Sequence, residues 1–256
     1  MNINRENLKK LADFVCEISE LDGYEWFRKD IVSKLKLNIV PGNPAAIDEI
    51  YEYCIRLIIK EQAERFYEDF KLVDIKDKLL EDFERMEKFR REDKFEDFCL
   101  ALFQQIEGIV NRLISEEKRE YILQHKEEIT HKAKDRTTSQ NQPQKMWQLF
   151  FYPNLDDEEV NKKLSKPIVD WDFTERYKVV LYFYYFNKKI YDYYDFYSLF
   201  SIGNDLYQMR NLNHRGGKTT DRQKETIARV TSCSYKYYFK FLGFLEDFTS
   251  KVNLNI

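Results

Sequence analysis

The stretch Phe95-Glu-Asp-Phe98-Cys-Leu-Ala-Leu102-Phe-Gln-Gln-Ile106-Glu-Gly-Ile109-Val-Asn-Arg-Leu113 decides the fold class. Phe98, Leu102, Ile106, Ile109 and Leu113 step by threes and fours, which puts them on one face of a helix with 3.6 residues per turn. A half-buried strand would alternate by twos, and no segment of the chain alternates convincingly over strand length. An all-α helical bundle is therefore expected.

Downstream of that stretch, the polar continuation is expected to stay helical to about Lys134. Thr137-Thr-Ser-Gln-Asn-Gln-Pro-Gln144 then reads as an exposed loop, being polar and without periodicity. Residues 145–170 read as irregular, with Trp147, Phe150, Phe151 and Pro153 docked on the core and Pro167 ending a short helix. Asp172-Phe-Thr-Glu175 fits a capping arrangement and opens a long aromatic helix in which Tyr177, Tyr184 and Tyr191 recur every seven residues. Thr220 and Gln223 form a further capping box. The final helix then lines Ile227, Val230, Ser234, Tyr237, Phe241, Leu245 and Phe248 along one face.

Upstream, two short helices are expected at about 4–20 and 24–37, parted by Asp22-Gly23. Pro41-Gly42-Asn43-Pro44 is a break, with Asn43 as an N-cap and Pro44 at the first helical position. The helix that follows carries Ile47, Ile50, Tyr51, Cys54, Leu57 and Ile58 on one face. Asp74 reads as the cap of another helix, which runs into the charged stretch Lys88 to Lys94. The organisation expected is an N-terminal helical region over 1–90 and a helical bundle over 91–256.

Composition narrows the function classes. With seven glycines and five prolines in 256 residues, a turn-rich all-β protein is excluded. No glycine-rich phosphate loop is present, which argues against P-loop and dinucleotide-binding enzymes. Cys16, Cys54, Cys99 and Cys233 are scattered without a CxxC pair, each among apolar neighbours, as buried free thiols are. Neither a zinc site nor a disulfide framework is expected, and no metal or other cofactor. The first residues are charged and amphipathic, unlike a signal peptide, and the longest apolar run is Val179 to Phe186, too short for a membrane span. A cytoplasmic protein with no membrane partner is expected.

Net charge is −3, with a sequence pI near 5.8, so there is no globally basic coat for nucleic acid. The charge is uneven, however. Between Arg210 and Arg229, Arg210, Arg215, Lys218, Arg222, Lys224 and Arg229 face only Asp221 and Glu225. Inside this segment lies Arg210-Asn211-Leu-Asn213-His214-Arg215, which holds one of the three histidines of the chain. A spacing of four sets Arg210 and His214 about 40° apart on one helix face. Histidine titrates near neutrality and can move protons, while the planar fork of arginine can pair with two phosphate oxygens. Together they suit RNA cleavage by the RNA's own 2′-hydroxyl. Asn211 and Asn213 are candidates to orient the ring or contact ribose, and Arg215 and Lys218 to bind the substrate backbone. The other reading of the pair is structural, since cations and amides at a helix end satisfy its last carbonyls.

The segment resembles the HEPN superfamily, helical-bundle proteins that include ribonucleases of toxin–antitoxin, abortive-infection and CRISPR-associated systems. Active members carry an arginine, often followed by Asn, Asp or His, and then a histidine after four to six intervening residues. Arg210-Asn211 and His214 match the residue types, with three residues between. The helix bearing Phe98, Ile106 and Glu107 looks like the opening helix of such a bundle, and the resemblance spans about residues 90–256. It implies a metal-independent endoribonuclease acting in stress or phage defence, with Arg210 and His214 catalytic and RNA as substrate. Two proton transfers and a highly charged phosphate favour two Arg–His pairs facing each other, so a homodimer joined around residues 175–250 is expected, with the aromatic helix as interface. An antitoxin or other defence-system partner is what the resemblance adds. The alternative is a catalytically silent member serving assembly or RNA binding. A second Arg…His pattern, Arg119-Glu-Tyr-Ile-Leu-Gln-His125, lies in a charged stretch that reads as a solvated helix end and is taken as coincidence.

Overall fold

The computed structural model describes residues 44–134, 141–151, 155–190, 192–214 and 220–256. The expected helices at 4–20 and 24–37, and the Asn43 cap, lie outside them. The described chain is an all-α bundle with one small hairpin. In chain order it comprises α1 (Pro44–Phe66), α2 (Val73–Arg91), α3 (Phe95–Leu113), α4 (Glu116–His125), β1 (Ile129–Lys134) and β2 (Asn141–Lys145). There follow α5 (Met146–Phe150), α6 (Asp157–Leu164), α7 (Phe173–Val180), α8 (Tyr193–His214), α9 (Asp221–Thr231) and α10 (Ser234–Leu254). Contacts divide the chain into two units, Met1–Leu57 and Ile58–Ile256.

In the larger unit α3 is the central helix. Phe98, Leu102, Ile106, Ile109 and Leu113 are buried as their spacing requires, and Cys99, Phe103 and Val110 are buried beside them. A helix apolar over most of its circumference needs neighbours on several sides, and α3 packs against α2, α7, α8 and α10. Its one buried amide is satisfied. Tyr67 Oη donates to Gln105 Oε1 at 2.8 Å, and Gln105 Nε2 donates to the Ala101 carbonyl at 3.2 Å. Trp147, Phe150 and Phe151 dock into the same core, whereas Pro153 lies outside the described residues.

Five expectations are corrected in detail. The helix after α3 ends at His125 rather than near Lys134, and Ile129–Lys134 pairs antiparallel with Asn141–Lys145. The expected loop therefore contributes its last residues to a strand. Pro143 is tolerated there because a two-stranded ribbon consists only of edges. Asp74 stands inside the first turn of α2, not at its cap, and pairs with Arg112 of α3.

The long aromatic helix is broken. Its capping box holds, with the Asp172 amide donating to Glu175 Oε2 at 3.1 Å. After Val180 the chain widens into a π-turn, Leu181–Tyr185, and stops where Asn187 and Lys188 take φ of 45° and 60°. Two successive left-handed residues cannot continue a right-handed helix. The final helix is likewise two helices. The Thr220 box opens α9, and hydroxyls then compete for the backbone at its end, Thr231 donating to the Ile227 carbonyl at 2.8 Å and Ser232 to the Arg229 carbonyl at 3.1 Å. Val230, Tyr237, Phe241, Leu245 and Phe248 are nonetheless all buried, so the apolar stripe survives the break.

Candidate functional site

The candidate site stands on the last turns of α8. At its start Asp192 Oδ1 accepts from the Tyr194 amide at 2.7 Å, and along its length Phe196, Leu206 and Met209 are buried. These anchor the helix against the core and set the direction of its C-terminal end. His214 is the last residue of α8, one turn after Arg210. The side chains of Asn213 and His214, and the whole of Arg215 and Lys218, lie outside the described residues.

Arg210 is half-buried on the side of α8 that faces α3. Its guanidinium lies 5.7 Å from the centre of the Phe103 ring, and Nη1 donates to Asn211 Oδ1 at 3.2 Å. Among the described residues no carboxylate comes within ion-pair distance of it. Phe103 is held in turn by Phe173 and Tyr207, whose ring centres lie 4.7 and 5.7 Å from its own. The guanidinium is thus supported from below by an aromatic face, which attracts a cation without neutralising it.

The other described charges of the basic segment are compensated. Arg229 Nη2 donates to Asp205 Oδ1 at 2.7 Å and its other arm meets the Tyr237 hydroxyl. Lys224 Nζ is 3.1 Å from Asp221 Oδ1. Asp205 stands five residues upstream of Arg210, outside the window that makes the segment look so basic. Among the cations of this segment whose side chains are described, Arg210 is therefore the one without a carboxylate partner, and the side chain of Arg222 lies outside the described residues.

The second Arg…His pattern is used structurally. Arg119 pairs with Glu116 and donates to the Leu164 carbonyl at 2.8 Å, which ties α4 to the end of α6. His125 Nδ1 is 2.7 Å from the Tyr121 carbonyl, and its ring stacks on Tyr121 with centres 4.1 Å apart.

A feature that the periodicity did not single out is a cleft of about 570 Å³ on another side of α8, bordered by α5, α7 and the start of α9. Lys178 of α7 lines it. Lys178 Nζ lies 4.5 Å from the Phe200 ring centre and donates to the Phe150 carbonyl at 3.3 Å, with no carboxylate of the described residues at ion-pair distance. Burial pushes its ammonium down to about 8, against an ordinary 10.5. The sequence signal was a lysine isolated in the apolar run Tyr177-Lys-Val-Val-Leu-Tyr-Phe.

Among the described residues no group of three or more His, Cys, Asp or Glu side chains is gathered in the manner of a metal site, and no helix is long and apolar enough to cross a membrane. Cys99 is buried, with its thiol pushed well up by desolvation, while Cys54 and Cys233 are half-buried and also free. Compared with family models, curated proteins and solved structures, the chain matches none.

Proposed function

We propose that this chain is a metal-independent endoribonuclease in which Arg210 and His214 act on one phosphodiester. The observation that carries the reading is the Arg210 guanidinium, half-buried, bonded to a neutral amide and resting on an aromatic ring, with no carboxylate of the described residues at ion-pair distance. Such a group keeps its charge and its fork for an anion. The resemblance of Arg210-Asn211 and His214 to the HEPN pattern supplies the proton-transfer partner one turn away.

In the reaction the ribose 2′-oxygen attacks phosphorus, the O2′–P bond forms and the P–O5′ bond breaks. A histidine accepts the 2′-hydroxyl proton, and a protonated histidine returns one to the leaving 5′-oxygen. Arg210 holds the charge that grows on the phosphate oxygens. The products are a 2′,3′-cyclic phosphate and a 5′-hydroxyl end, and the route needs only side-chain proton transfer and charge pairing.

Two transfers are served best by two Arg–His pairs, so the active form is a homodimer. The aromatic run of α7 and the π-turn turns largely inward, with Tyr177, Tyr182 and Phe183 buried. Tyr235 and Phe239, four residues apart on α10 and 63% and 75% exposed, are better placed to meet a second copy. A defence or stress role, with an antitoxin or similar partner restraining the site, follows from the same family resemblance. The test is cleavage of a mixed RNA pool in EDTA by wild type and His214→Ala. A second reading, a catalytically silent helical protein serving assembly or RNA binding, draws on Phe103, because a guanidinium laid on a core ring can also be there for packing.

A further inference from the structure

The cleft between α5, α7 and α8 combines three chemistries in about 570 Å³. Its α8 wall carries the rings of Tyr197 and Phe200, with Tyr197 47% exposed, so a flat face is open to whatever enters. Gln148 and Gln208 line it with amides. Gln208 Nε2 donates to Asn204 Oδ1 at 3.3 Å, while its Oε1 is buried without a partner among the described residues. A small turn of that amide would give the acceptor to a ligand.

Lys178 supplies the third chemistry. Glu175 also lines the cleft and its charge acts on Lys178, but its carboxylate bonds Lys163 and the Asp172 amide and makes no ion pair with the Lys178 ammonium. The capping box at Thr220 and Gln223 uses the amides with which α9 could otherwise hold an anion. The one cation among the described lining residues is Lys178, and no carboxylate of the described residues stands at ion-pair distance from it.

An aromatic face, amide edges and an ammonium outside any ion pair of the described residues are together what one unstacked nucleotide asks of a protein. The face takes the base, the amides take its hydrogen-bonding edge and the ammonium takes a phosphate. We propose that this cleft seats one nucleotide of a single-stranded RNA, upstream or downstream of the bond cut at the end of α8. This rests on the ribonuclease reading for its substrate. The cleft and Arg210 occupy different sides of α8, and Gln208 and His214 are about 9 Å apart along its axis. A strand held in the cleft would therefore pass over the helix end to reach the Arg–His pair.

The test uses the full chain and a short fluorescent RNA made uncleavable by 2′-O-methyl groups, so that binding is read apart from cleavage. Tyr197→Ala removes an exposed ring without touching the core and should weaken binding about tenfold, the value of one base–aromatic stack. Lys178→Met should weaken it to a similar degree and flatten its salt dependence. His214→Ala should bind as wild type does. Loss of binding in both cleft variants, in a chain that cuts no RNA at all, keeps the cleft and removes the catalytic reading. Cleavage by wild type with unchanged affinity in both cleft variants does the reverse. Adenosine monophosphate binding as tightly as the oligonucleotide, or no binding of either, overturns the proposal.

Discussion

Tyr177 of α7 lies against the backbone of Gly203 of α8, so close that a β-carbon at Gly203 would fall 2.5 Å from the ring. Tyr177 is fully buried and its hydroxyl donates to the Leu199 carbonyl at 3.1 Å, so the ring has nowhere to go. The contact fixes how closely α7 and α8 approach, and with that the positions of Lys178 and Asn204 in the cleft. Gly203→Ala should destabilise the protein by about 1–3 kcal/mol through overpacking. Thermal unfolding of the variant would check this, and an unchanged midpoint would mean that the two helices can part at little cost.

Asp205 is 4% exposed and is held by Arg229 across the α8–α9 junction. Arg229→Ala leaves a buried carboxylate without its partner, which should cost about 1–3 kcal/mol. Asp205→Asn, which keeps an acceptor without the charge, should cost less. Urea unfolding of both variants ranks them, and the opposite order would show that the ion pair is not what joins the two helices.

Lys178 gives a pH signature. In the folded chain its ammonium is pushed down to about 8 by burial, against an ordinary 10.5 when unfolded. Between those values the unfolded chain binds a proton that the folded chain lacks, so stability rises with pH across that window. Lys178→Met should therefore be more stable than wild type below pH 8, and the gap should narrow toward pH 10.5. Burial also raises the Tyr182 hydroxyl to about 12, which destabilises both proteins above pH 10 and cancels in the difference. Midpoints measured from pH 7 to 10.5 carry the test, and a constant gap would place the ammonium in solvent.

Arg119 and His125 match the same Arg…His pattern but hold α4 to its surroundings. Arg119→Ala should lower the unfolding midpoint through loss of the bond to the Leu164 carbonyl, and leave RNA cleavage unchanged. A loss of cleavage without a loss of stability would reverse the assignment of the two patterns.

The helical class was legible because α3 repeats its apolar residues with the period of a helix, and burial follows that period closely. Where helices stop was less legible. The stripe from Ile227 to Phe248 keeps its phase across the α9–α10 break, so periodicity gave no warning, and the stop at Asn187 and Lys188 depends on backbone angles rather than on glycine or proline. The hairpin was hidden because β1 and β2 are short and polar, with a proline in one strand. At the site, the one-turn spacing of Arg210 and His214 was readable in the sequence, and both residues stand on the last turns of α8. The ring beneath Arg210 was not, since Phe103 is more than a hundred residues away in the chain. Nor was the pairing of Arg229 with Asp205, which takes a tertiary contact between α8 and α9.

The central claim is that Arg210 and His214 carry the chemistry. His214→Ala should abolish cleavage while leaving RNA affinity close to wild type, because a neutral imidazole adds little to phosphate attraction. Arg210→Ala should weaken both.

The most direct measurement is cleavage of a mixed RNA pool in EDTA by wild type and His214→Ala at equal concentration, with the new ends identified. The account predicts that wild type cuts, leaving 2′,3′-cyclic phosphate and 5′-hydroxyl ends, and that the variant does not. Equal cutting by both proteins, or cutting by wild type only when magnesium is supplied, would contradict it.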